Sequence, residues 1–135
     1  MTDAGMNEAM LASLELAAEK SGDIAPAIYD RYFERCPDSR AIMFHTDEYM
    51  RGRMLGEVFR LFMSEGVAEE REYLAFETTN HRAYGAAPHM YENVLLAVRD
   101  VVQNVLGDDF TAEVNAAWER RVSELLGIIR PLTTS

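Results

Sequence analysis

Two neighbouring stretches, PHMYENVLLAVRDVVQNVL (residues 88–106) and TAEVNAAWERRVSELLGIIR (residues 111–130), decide the fold class. In the first, Tyr91, Val94, Leu95, Val98, Val101, Val102, Val105 and Leu106 recur at three- and four-residue steps. In the second, Val114, Ala117, Trp118, Val122, Leu125, Leu126 and Ile129 do the same. That spacing lays an apolar stripe about 100° wide along each helix, so each needs a partner on one side. Gly107-Asp108-Asp109 separates the two, Thr111 is suited to cap the second, and Pro131 is expected to end it. Two such helices joined by a short loop are expected to pack as an antiparallel pair.

Upstream the pattern stays helical. Met6, Met10, Leu14 and Ala17 suit a first helix, broken at Ser21-Gly22-Asp23. Asp23 is suited to cap a second helix, with Pro26 tolerated in its first turn because the missing N–H has no partner there anyway. This helix carries Ile24, Ile28, Tyr29, Tyr32 and Phe33 and should stop before Pro37. A short helical turn is expected over Pro37–Met43, a long helix over Asp47–Ser64 with Leu55, Val58, Phe59 and Phe62 on one side, and a less regular one over Glu69–Tyr84. Gly66 and Gly85 are the expected terminators. No alternating strand, repeat or low-complexity linker interrupts the series. The expectation is an all-α domain of six or seven helices over residues 1–135.

Composition narrows the function classes. Thirteen basic residues against 23 acidic ones give a formal charge of −10, so the chain lacks the basic face that nucleic acid or an anionic membrane surface requires. The longest apolar run, Val94–Val98, is far short of the roughly 18 residues of a membrane span. No basic residue precedes Lys20, which argues against a secretory leader, and the lone Cys36 cannot form an internal disulfide. A cytoplasmic protein is expected.

Chemistry-bearing residues are few. The three histidines, His45, His81 and His89, show neither Cys/His nor His-x-x-x-His spacing, and the lone Cys36 cannot build a thiolate cluster, so a zinc site is not expected. Thr78 stands three residues before His81 and Ile42 three before His45, so the Glu-x-x-His motif of a di-iron carboxylate bundle is missing. Gly-rich phosphate loops and nucleophile elbows are missing too. A cofactor held through one protein ligand remains, and haem is the leading group of that kind.

The run His81-Arg82-Ala83-Tyr84-Gly85-Ala86-Ala87-Pro88-His89-Met90-Tyr91 resembles the proximal-histidine segment of bacterial single-domain globins and of flavohaemoglobin haem domains. In that family the ligand ends one helix, a proline opens the next, and a tyrosine follows three residues later. Ile28-Tyr29-Asp30-Arg31-Tyr32-Phe33 followed by Pro37 resembles the family's second helix; Phe110-Thr111-Ala112-Glu113 with Ala117-Trp118 resembles the start of its last. Together the blocks span about residues 10–130.

The resemblance implies a globin-like fold and haem b (iron protoporphyrin IX), with His81 as the iron ligand and its other ring nitrogen held by a carbonyl one turn earlier. It implies that Tyr29 offers its hydroxyl to bound dioxygen, and that Phe44, or Met43 beside it, packs on the haem face. Leu55 and Phe59 would line the distal side; Tyr91, Val94, Leu95 and Val98 the proximal side. Arg51 and Arg82 would pair with the propionates, since guanidinium matches carboxylate geometry.

The chain departs from the family at several points. Arg51 stands where many relatives place Gln or His toward the ligand, and a shift of one residue would put Met50 there. Met43 holds the expected corner spacing after Pro37, with Phe44 next to it. Glu77, four residues before His81, replaces a usual apolar residue, and the flavohaemoglobin glutamate late in the last helix has no counterpart in Ile129-Arg130-Pro131-Leu132-Thr133. The resemblance implies a diatomic gas ligand (O2, and with it NO or CO), and for NO dioxygenation an external reductase, since 135 residues leave no room for a flavin domain. The long apolar faces are equally suited to core packing and to a homodimer. A globin-fold module without haem, acting through protein contacts, and a plain helical bundle are the rival readings.

Overall fold

The computed structural model describes residues 2–134 and is all-α, with the globin-like complement of six to seven helices expected from the sequence. The helices are α1 (Asp3–Ser21), α2 (Ala25–Arg35), α3 (Ser39–Met43), α4 (Glu48–Phe62), α5 (Arg71–Ala83), α6 (Pro88–Leu106) and α7 (Ala112–Thr133). Short 3-10 turns at Val67–Glu70 and Gly107–Asp109 lead into α5 and out of α6. No strand occurs among the described residues, and none of their helices is long and apolar enough to cross a membrane.

The helix starts follow local chemistry. Thr2, Asp47 and Thr111 accept hydrogen bonds from the backbone N–H groups of Gly5, Met50 and Val114, each satisfying a donor that the first helical turn leaves free. Asp23 serves α2 differently: Ile24 is the boundary residue, yet the Asp23 carboxylate accepts from Ala25 N–H at 3.0 Å. Gly85 and Gly107 take φ of +92° and +54°, backbone that L side chains rarely adopt, and so end α5 and α6.

Three boundaries differ from the sequence reading. α1 starts at Asp3 rather than Met6, because Thr2 supplies the cap. The irregular segment after Gly66 splits into a 3-10 turn and α5, whose first residue is Arg71. Finally, α7 runs through Pro131 to Thr133. Proline removes one N–H, but the hydroxyls of Thr133 and Thr134 donate to the carbonyls of Ile129 and Arg130 and hold the last turn.

The core sits where α1, α6 and α7 converge and where α2 lies along α6. Trp118 of α7 is fully buried against Phe62 of α4, with ring centroids 4.7 Å apart. Its indole N–H donates to Ser13 Oγ at 2.9 Å, tying α7 to α1. Glu92, near the start of α6, pairs with Arg130, near the end of α7, so these helices run antiparallel. Arg121 of α7 is also buried, and its guanidinium donates to the carbonyls of Phe62 and Ser64 beyond the last full turn of α4, to that of Leu61, which also accepts from Ser64 N–H, and to Asn7 Oδ1 at 2.6 Å. Burial pulls the Arg121 guanidinium below its ordinary range, against the pull of Glu124.

A second polar hub joins α2 to α6. Asp100 receives Arg31 Nε at 2.8 Å, Arg35 at 2.9 Å and its neighbour Arg99 at 2.9 Å. Burial pushes the Asp100 carboxyl up, but the hydrogen bonds from Arg99 and Arg31 and the charge of Arg35 outweigh it and hold the group below the usual carboxylate range.

α4 leans on α2 and α7, and α5 leans on α7, while the backbones of α4 and α5 do not pack closely on each other.

Candidate cofactor site

His81 lies in the last turn of α5, where a side chain is free to project beyond the helix. Its Nδ1 is 2.6 Å from the carbonyl oxygen of Glu77, the contact expected one turn earlier, and 3.7 Å from the Glu77 carboxylate. The backbone carbonyl can only accept, so Nδ1 carries the proton and Nε2 is left as the basic nitrogen. Nε2 has no hydrogen-bond partner among the described residues. The imidazole stands edge-on to the Tyr91 ring at 6.3 Å, which limits how it can turn. Side-chain exposure of 44% leaves the free nitrogen reachable.

Tyr29 of α2 is buried and donates its hydroxyl to the carbonyl of Arg51 on α4 at 3.0 Å. Burial pushes this phenol up to about 12, although the Arg51 charge works the other way, so it remains a proton donor at any ordinary pH. Arg51 folds its guanidinium over the rings of Tyr29 and Phe33, at 5.4 and 5.3 Å from their centroids. Its Nε donates to Thr46 Oγ1 at 2.8 Å. Leu55, one turn further along α4, is buried, and Phe59 after it is half-buried against the core.

An aromatic floor connects Tyr29 with His81. Tyr29 meets Phe33 at 6.0 Å and Phe33 meets Tyr32 at 5.6 Å. Tyr32 in turn lies within electrostatic range of Tyr91, which faces His81. Burial pushes the Tyr91 phenol up as well, with Arg82 opposing. Below that floor, Leu95 and Val98 of α6 are buried, whereas Val94 is partly open.

The rim is apolar and exposed. Phe44, at the corner after α3, is 81% exposed, while Met43 beside it packs inward; of the two corner residues the methionine is the one on the core. Phe44 stands edge-on to His45 at 6.2 Å, and His45 stacks on Tyr84 from the end of α5 at 6.4 Å. Gly85 also comes close to this corner, its Cβ position lying 3.5 Å from the Ile42 side chain. Tyr49 and Met50 at the start of α4 and Phe76 on α5 are further large apolar groups left in solvent. An apolar rim around a few convergent polar groups is how small-molecule sites are commonly built.

Arg82 is exposed and donates to the carbonyl of Leu132 at the end of α7. Two surface grooves, of about 240 and 460 Å3, lie on α6–α7 and on α1–α7, and neither is lined by His81, Tyr29 or their neighbours in the set above.

The residues expected at a cofactor site thus comprise one imidazole with an unpartnered Nε2, a buried phenol already paired with a backbone carbonyl, and aromatic and aliphatic side chains that are largely packed in the core. No protein-family model matches the chain, and no curated protein matches it.

Proposed function

We propose that the chain is a haem-binding globin that takes a small diatomic gas, with His81 as the iron ligand through Nε2. The observation that supports this reading is the Nδ1 contact of His81 with the Glu77 carbonyl, which fixes the tautomer and leaves Nε2 unpartnered on a ring that stands against Tyr91. Haem, when bound, would supply a redox-active iron able to take O2, NO or CO.

The protein's share of the work follows from its own groups. His81 anchors, with Tyr91 restricting the imidazole plane. Tyr29 holds a proton that burial prevents it from losing, ready for donation to an electron-rich diatomic ligand once its hydroxyl turns away from Arg51. Phe59, Leu55, Tyr91 and Val94 would wall a flat apolar group from water, with Leu95 and Val98 as the packed layer behind; Phe44, in solvent here, would have to fold inward to join them. Arg51 and Arg82 offer guanidinium groups to propionates at the rim, each exchanging a present partner, Thr46 or Leu132, for a carboxylate. In this reading NO dioxygenation draws its electrons from an external reductase, and the cytoplasm is where such a chain meets one.

A second reading, a globin-fold module without haem, is favoured by one observation: the Tyr29 hydroxyl is already paired with Arg51. Titration of the purified chain with haem, followed by visible absorption before and after reduction and CO addition, separates the two. A one-to-one complex whose Soret band moves with CO supports the first; featureless, non-saturating absorption supports the second.

A further inference from the structure

Away from the haem-type site, three chemically different metal ligands meet at one point. Cys36 ends α2, its N–H bonded to the Tyr32 carbonyl at 2.8 Å. Asp38 lies two residues on, in the turn before α3, and His89 lies in the first turn of α6. Cys36 Sγ is 3.0 Å from Asp38 Oδ1, and His89 Nε2 is 2.9 Å from Asp38 Oδ2. All three ligand atoms lie within 4.8 Å of one another.

We propose that Cys36, Asp38 and His89 form a metal site that takes one zinc-class divalent ion, with a water in the fourth position. With Zn–S near 2.3 Å and Zn–N or Zn–O near 2.1 Å, neighbouring ligand atoms of a tetrahedral site lie roughly 3.4–3.6 Å apart, so the two contacts to Asp38 open by about half an ångström and the Sγ–Nε2 gap, within 4.8 Å, closes by up to about 1.2 Å. Thiolate, imidazole and carboxylate together select zinc over magnesium or calcium, which take oxygen-only ligands. Three protein ligands with an open fourth position is also the pattern of exchangeable zinc sites rather than closed structural ones.

The carboxylate already sits between a thiol and an imidazole, so a dication takes the place of the protons that bridge them. On binding, the Cys36 S–H bond breaks, an S–Zn bond forms and that proton leaves to solvent; the neutral His89 imidazole gives up its Nε2 proton as the N–Zn bond forms and takes one on Nδ1, so one proton is released in all. Ser39 Oγ, 3.2 Å from Sγ and itself buried, is placed to donate to the resulting thiolate. The buried thiol forms the back of the site and the exposed carboxylate and imidazole its open face, which gives the ion a way in. The ligands come from both ends of a long sequence interval, so the bound ion clips the end of α2 to the start of α6. None of this depends on haem.

The test is calorimetric titration of the untagged, reduced, full-length chain with ZnCl2, repeated in buffers of different ionisation enthalpy, for the native protein, His89→Ala and Cys36→Ser. The proposal expects one ion per chain with a Kd tighter than about 10 µM, release of about one proton from the thiol, and weakening of at least about tenfold in His89→Ala. His89 is half-exposed, so that variant keeps its fold, as a circular dichroism melt will show, even if Cys36→Ser does not. Weaker binding in the native chain, or a Kd that His89→Ala moves by less than tenfold, overturns it.

Discussion

The Nδ1 atom of His81 lies 2.6 Å from the carbonyl oxygen of Glu77, one turn back along α5, and this contact leaves the histidine with a single nitrogen to offer. A histidine at a helix end more often caps the helix or answers its dipole. Here the ring instead turns back on its own helix and stands against Tyr91.

Tyr29 gives the sharpest ligand prediction. Replacing it with Phe removes a protonated donor while keeping the ring that packs on Phe33. The O2 dissociation rate of the haem-loaded protein should rise about tenfold, the equivalent of a lost hydrogen bond of ~1.4 kcal/mol. Stopped-flow displacement of O2 by CO measures it, and an unchanged rate removes Tyr29 from ligand contact.

Asp100 predicts a pH dependence. Its carboxyl is held below the usual range by Arg99, Arg31 and Arg35 despite burial, so the folded state favours the ionised form. A depressed carboxylate contributes stability that is fully present above its unfolded value, about 3.9, and is lost as pH falls through the lower folded value. Asp100→Asn should therefore cost about 2 kcal/mol at pH 7, by leaving three guanidinium groups without their shared anion. Urea unfolding should show the gap between native and variant closing once the pH falls well below 3.9. A gap that is constant with pH contradicts the assignment.

Arg121 predicts a loss without pH dependence in the neutral range. Its guanidinium satisfies the last carbonyls of α4 from inside the core. Arg121→Met preserves much of the volume but strands those acceptors, at a cost of about 2–4 kcal/mol. Thermal unfolding followed by circular dichroism reads the shift; a midpoint within a degree or two of the native one would mean that water replaces the guanidinium.

These examples also mark what a linear reading can see. Gly85, Gly107, Asp47 and Thr111 act through their own backbone or a group three residues away, and the sequence places them correctly. The Glu77–His81 contact is legible for the same reason, since one helical turn separates the two. Pro131 misleads because proline chemistry is local, whereas two threonine hydroxyls beyond it restore the final turn. Arg121 reads as one more charge on an exposed face: the carbonyls it serves are about sixty residues away in sequence. The Cys36–Asp38–His89 cluster escapes motif spacing altogether, because a 51-residue interval brings the imidazole to the carboxylate only after α2 has packed along α6. At the corner, spacing from Pro37 favours Met43 and residue type favours Phe44; packing turns the methionine inward and leaves the phenyl ring in solvent.

The haem reading rests most directly on one measurement: the absorption spectrum of the ferrous, CO-treated protein after loading with one equivalent of haem, native beside His81→Ala. The account predicts a sharp, CO-shifted Soret band in the native chain, and in His81→Ala a weakened or displaced band that added imidazole restores. A native chain without a saturable Soret complex, or a His81→Ala spectrum identical to the native one, contradicts it.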